Sequence, residues 1–130
     1  MVGRRRRGEA LRHARYDEPT DFPGLYRVAL ASIVHPAEGY VFGIDCVDRR
    51  LLPGREAKLV LTNERVIAFS PQPAAPLKRT HRLDTIERVE FDTGLFTAET
   101  TLYGSEAPET YPVPKRLGRE FTEAVRARLE

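Results

Sequence analysis

A chain of 130 residues is the size of one ordinary domain and buries roughly two-thirds of its unfolded surface on folding, enough for a core without metals or disulfides. A hydrophobic fraction of 41% excludes a disordered composition, and the lone Cys46 excludes an internal disulfide and favours a reducing compartment. The net charge of +2 divides unevenly: six arginines and one glutamate in residues 1–16 give +5, and fifteen cations against eighteen acids in residues 17–130 give −3. The basic character belongs to a tail, and the mildly acidic body argues against a broad nucleic-acid surface.

Arg4, Arg5, Arg6 and Arg7 are followed by a polar stretch and not by the apolar run of a secretion signal. The longest apolar stretch, Val28 to Val34, is broken by Ser32 and falls far short of the ~20 residues that span a bilayer. Cytoplasmic residence follows as the default, with peripheral membrane attachment as its variant. Residues 1–16 read as a basic arm with a short helical turn around Glu9 to Arg15, and residues 17–130 as a single domain. Asp21 reads as a helix cap with Pro23 in the first turn. Leu25, Val28, Ala29, Ser32 and Ile33 recur at helical spacing, predicting a helix over about 22–35 that ends before His35-Pro36.

From Gly39 the period becomes two. Tyr40, Phe42, Ile44 and Cys46 share one strand face, with Gly43 and Asp45 on the other. Leu51, Leu52, Pro53 and Gly54 fall in a loop. Leu59 and Leu61 mark the inward face of a second strand, Asn63-Glu64 makes a tight turn, and Arg65 to Ser70 forms a third strand. Pro71, Pro73 and Pro76 stiffen the next connection. A strand is predicted near Lys78 to Leu83, another through Ile86, Val89 and Phe91, then a turn at Asp92-Thr93-Gly94. Phe96, Ala98, Thr100 and Leu102 alternate along a longer strand. Ala107 to Val113 forms the seventh, placed at an edge by Pro108 and Pro112. Leu117, Phe121, Val125 and Leu129 then define a narrow apolar stripe on a helix over about 114–129.

This order resembles the pleckstrin-homology-like architecture, and the local words resemble its bacterial members. They are Leu59-Val-Leu-Thr-Asn-Glu-Arg-Val-Ile-Ala-Phe-Ser70, then Leu83-Asp84-x-Ile86-x-x-Val89-Glu90-Phe91-x-x-Gly94, then the helix. The resemblance covers about residues 25–129. It implies a mainly β chain with helices: a barrel of about seven antiparallel strands capped by the C-terminal helix and preceded by an N-terminal one. It further implies a non-catalytic interaction or scaffolding module that binds a protein partner or self-associates, with no cofactor and no small-molecule substrate.

The alternative is a peripheral anion binder docking on membrane lipid or nucleic acid. Its candidate residues are Arg4, Arg5, Arg6, Arg7, Arg12 and Arg15 of the arm and Arg49, Arg50, Arg55 and Lys58 of the first hairpin loop. Each cation near an anionic surface contributes about 1 kcal/mol. Arg55-Glu56-Ala57-Lys58 departs from the closely spaced basic core with which eukaryotic relatives hold inositol phosphates. Leu51 and Leu52, adjacent in a loop, are candidate interaction residues. Pro73-Ala-Ala-Pro76 reads as a stiff connector. Cys46, on an apolar strand face, reads as an inert buried thiol. His13, His35 and His81 lack metal-ligand spacing, so neither a catalytic nor a metal site is assigned.

Overall fold

The computed structural model describes residues 13–47, 57–71 and 77–129, the side chain of Leu77 excepted. Along the chain run β1 (Arg15–Tyr16), a 3-10 turn (Pro19–Asp21), α1 (Gly24–Ile33), β2 (Tyr40–Asp45), β3 (Lys58–Thr62), β4 (Arg65–Ser70) and β5 (Leu77–Arg82). After a second 3-10 turn (Leu83–Thr85) come β6 (Ile86–Thr93), β7 (Ala98–Gly104), β8 (Glu109–Val113) and α2 (Lys115–Ala127). All strand pairs are antiparallel, in a five-stranded sheet ordered β1-β2-β3-β4-β5 and a three-stranded sheet ordered β6-β7-β8.

The seven expected strands are present, and Arg15–Tyr16, read as part of the arm, adds an eighth by pairing with Ile44 and Gly43. His13–Arg15 are not helical. The closed barrel is corrected to two open sheets. The 3-10 turn at Leu83–Thr85 takes the chain out of one sheet before β6 begins the other. At the opposite corner the Val47 N–H donates to the Pro112 carbonyl (2.9 Å), but proline has no N–H to return and no ladder follows. β8 is an edge strand, as Pro112 within it requires.

The central strands of the five-stranded sheet, β2 to β4, are buried on both faces. Phe42, Ile44, Leu59, Leu61, Val66 and Ala68 turn toward the second sheet and α2. Val60, Ile67 and Phe69 turn the other way, toward Tyr16, Phe22 and α1. Tyr40, expected beside Phe42, lies on the α1 side, because a bulge between residues 40 and 42 shifts the register and reverses its facing.

Helix α1 is turned relative to its expected stripe. Tyr26, Ala29, Leu30 and Ile33 are buried, whereas Leu25 and Val28 are 73% and 68% exposed. Pro23 is the residue before the helix, and Asp21 instead accepts the Glu18 N–H (3.0 Å) in the preceding 3-10 turn.

Helix α2 follows its predicted stripe: Leu117, Phe121 and Val125 are buried and Leu129 packs against them. The Thr100 and Thr122 hydroxyls bond each other (2.9 Å), and Arg126 Nη2 donates to the Val89 carbonyl (2.9 Å), tying α2 to the second sheet. The helix sits so close to β8 that a Cβ on Gly118 would lie 2.3 Å from Val113 Cγ2. Helix propensity alone favours alanine at such a position by about 1 kcal/mol. The steric clash outweighs it, so G118A should lower stability by about 1–3 kcal/mol in chemical denaturation. Shortening the opposing side chain in G118A/V113A should recover part of the loss; an unchanged midpoint for G118A would contradict this packing.

Candidate functional site

Of the ten cations proposed for anion binding, Arg15 and Lys58 belong to the described residues. Arg4, Arg5, Arg6, Arg7, Arg12, Arg49, Arg50 and Arg55 lie outside them, as do Leu51, Leu52 and the Pro73–Pro76 connector. Arg15 opens β1. Its guanidinium pairs with Asp17 (2.7 Å) and Glu120 (2.9 Å) and rests over the Phe42 ring (4.1 Å). Its charge is already met by two carboxylates of the same chain.

Lys58 is not a loop cation. It is the first residue of β3, is 2% exposed, and stands directly across from Asp45 of β2. Its Nζ donates to Asp45 Oδ1 (2.5 Å) and to the Tyr16 hydroxyl (2.9 Å), which itself donates to Asp45 Oδ1 (2.7 Å). The other carboxylate oxygen accepts the Ala14 N–H (2.7 Å). The ammonium also lies over the rings of Tyr26 (4.4 Å) and Tyr16 (5.0 Å). Burial presses the Lys58 pKa down, but the bonds to Asp45 and Tyr16 prevail and hold it above the usual lysine value. Tyr16 is pushed up to about 12, chiefly by burial, against the lowering effect of its bond to Lys58.

A second buried network forms where β3 turns into β4. Thr62, Asn63, Glu64 and Arg65 make the tight connection expected of them. The Thr62 hydroxyl accepts the N–H groups of Glu64 and Arg65 (both 3.1 Å), and Asn63 exchanges bonds with the Gly39 backbone. Arg65 reaches back to Glu38 with a two-pronged grip, Nε to Oε2 and Nη2 to Oε1 (both 2.9 Å). Its Nη2 also donates to the Ile33 carbonyl at the end of α1 (2.6 Å). Glu38 further accepts the Thr62 hydroxyl (2.5 Å) and the His35 N–H (3.1 Å). These donors, Arg65 foremost, overcome desolvation and lower the Glu38 pKa to about 2.

Two clefts open where the sheets part. One, of about 850 Å³, runs from the Asn63–Arg65 turn to the end of α2 and carries Arg82, Asp84 and Arg128. The other, of about 440 Å³, lies between β5 and the end of β7 with its turn into β8. Near it His81 and Tyr111 share a 2.7 Å hydrogen bond, and burial holds the imidazole below its usual pKa. Arg79 pairs with Glu109 and Arg82 with Asp84 across the same region. Cys46 is buried in the core, as its strand face requires. Among the described residues no three His, Cys, Asp or Glu side chains are grouped to hold a metal ion, and no helix is long and apolar enough to cross a membrane.

The Asp45–Lys58 and Glu38–Arg65 pairs were missed from sequence because their members stand thirteen and twenty-seven residues apart. Asp45, Lys58 and Arg65 lie in strands and Glu38 in the connection after α1, so no local period links the members of either pair.

The two networks generate separate expectations. D45A removes the carboxylate opposite the buried Lys58 ammonium and should cost about 3–5 kcal/mol in urea unfolding, while D45A/K58M should recover most of it. A double variant as unstable as D45A would show that the pair's charge is not what matters. For Glu38, whose folded pKa is depressed, stability is fully present above the unfolded value of 4.5 and is lost as pH falls through about 2. The loss should amount to roughly 3 kcal/mol. E38Q should flatten that acid limb; an acid profile unchanged by E38Q would remove Glu38 as its source.

Compared with known proteins, the chain matches no protein-family model, no curated protein and no solved structure.

Proposed function

We propose that the chain is a non-catalytic interaction module of the pleckstrin-homology-like kind, which binds a protein partner or a second copy of itself. The supporting order is four consecutive antiparallel strands, β2 to β5, then three more, β6 to β8, then a helix buried against both sheets. The observation that carries the functional reading is the break between the sheets. β5 ends its sheet and β6 ends the other, and the 440 Å³ cleft lies between β5 and the end of β7 with its turn into β8. The outer side of β5 offers backbone donors and acceptors to an added strand. A protein partner is preferred to an anion held by the arm and first hairpin loop. Within the described residues, Arg15 and Lys58 of that set are engaged by carboxylates of this chain.

Light scattering over a concentration series, with a pull-down on the full chain, tests the reading. It expects a larger species or a retained partner, accompanied by slowed amide exchange in Leu77–Arg82. A strict monomer that retains no partner, or a complex that leaves exchange in β5 unaltered, would count against strand addition at this edge.

A further inference from the structure

We propose that the tip of the β6–β7 hairpin docks on an anionic lipid bilayer, with Leu95 and Phe96 entering the interface and Lys115 and Arg119 of α2 meeting the headgroups. This surface is separate from the β5 edge and uses none of the ten cations proposed from the sequence.

Phe96 alternates with Ala98, Thr100 and Leu102 as if it belonged to the inner face of β7, but the strand begins at Ala98. The Gly94 N–H donates to the Thr97 carbonyl (2.7 Å), closing a four-residue loop that carries Leu95 and Phe96 outward. They are 80% and 76% exposed. Two adjacent large apolar side chains on a hairpin end leave a contiguous hydrophobic surface in water. The loop Gly94–Thr97 carries no charged side chain.

The flank of this tip is cationic. Lys115 Nζ donates to the Leu95 carbonyl (2.7 Å), which fixes an exposed ammonium at the base of the loop. One turn along α2, exposed Arg119 lies over the Phe91 ring (4.9 Å), and exposed Arg116 sits between them in sequence. On α2, Glu120 is held by Arg15 and exposed Glu123 lies two turns beyond Lys115; in the hairpin, Asp92 and Glu99 are paired across the two strands behind the tip. Thr100 and Phe91, their neighbours, face α2 through Thr122 and Arg119, so alternation turns Asp92 and Glu99 to the opposite side of the ladder. Apolar tip, cationic flank and acids turned away match an anionic lipid interface: the convex tip enters among acyl chains while basic groups stay at headgroup depth. A bilayer also needs no pocket shaped to receive that tip.

The chain contains no tryptophan, so F96W provides a single reporter. With vesicles of phosphatidylcholine and phosphatidylserine, its emission should shift to the blue and be quenched by brominated acyl chains; pure phosphatidylcholine should have much less effect. In flotation of the full chain, L95S/F96S should weaken binding on the order of tenfold or more, and K115A/R119A by about fivefold per cation lost, with unchanged thermal midpoints. Emission unmoved by anionic vesicles would overturn the proposal. So would L95S/F96S binding as tightly as the parent, which would place lipid contact elsewhere. A reduced oligomer in L95S/F96S with lipid binding unaltered would also overturn it and assign the tip to a second copy.

Discussion

A salt bridge inside a sheet constrains much of this molecule. Asp45 and Lys58 stand opposite each other in the β2–β3 ladder, on the face that α1 covers. Removing two charges from water costs several kcal/mol per ion unless the geometry is good and the remaining valences are met. Here they are met from three directions: Tyr16 bonds both groups, the Ala14 N–H takes the second carboxylate oxygen, and the rings of Tyr16 and Tyr26 lie beside the ammonium. The pair therefore dictates where β1 must lie and which face of α1 must turn inward. β1 is only two residues long, and a two-residue ladder carries little stability alone; its bonds to Asp45 explain why the chain joins the sheet there.

Glu38 and Arg65 play the corresponding part at the other end of the helix. Arg65 is held by Glu38 and in turn holds the Ile33 carbonyl, where α1 would otherwise end with an unmet acceptor. One ion pair locks the chain before α1 to the sheet and the other locks the chain after it. The sheet thus has an apolar side toward α2 and the second sheet, and a side toward α1 whose apolar centre is bounded by two charge pairs. Such pairs specify register, because sliding β2 by one residue along β3 would move Asp45 out of its place opposite Lys58.

Elements whose burial follows a clean period were legible. α2 alternates sharply between Leu117, Phe121 and Val125 and a charged remainder, and its predicted face is the buried one. β4 ran as read. Legibility failed where local pattern did not determine facing. Arg27 is the sole charge on α1, so nothing on the helix itself selects Tyr26 and Leu30 over Leu25 and Val28; the decision comes from Phe69 and Lys58 on the sheet beneath. Tyr40 fits the alternation of β2 until a bulge reverses it. Lys58 looked like a loop cation because a lysine beginning a strand is ordinarily solvated, and only the cross-strand carboxylate makes its burial possible. Phe96 kept the period of β7 two residues past the place where the hairpin bends.

The same accounting separates surfaces that the fold has used from those it leaves. Arg15, Arg65 and Lys58 are committed to internal carboxylates, and Leu117, Phe121 and Val125 to the core, so none of them is available to a partner without loss of structure. Among the described residues, what stays uncommitted includes backbone at the outer side of β5, and large apolar side chains at the β6–β7 tip and on the outer face of α1. Backbone edges recognise extended chains, whereas convex apolar tips recognise yielding or concave surfaces. Neither surface is needed to satisfy a buried group, and each can therefore change partners or be altered by substitution while the two charge pairs continue to hold the sheet and α1 together.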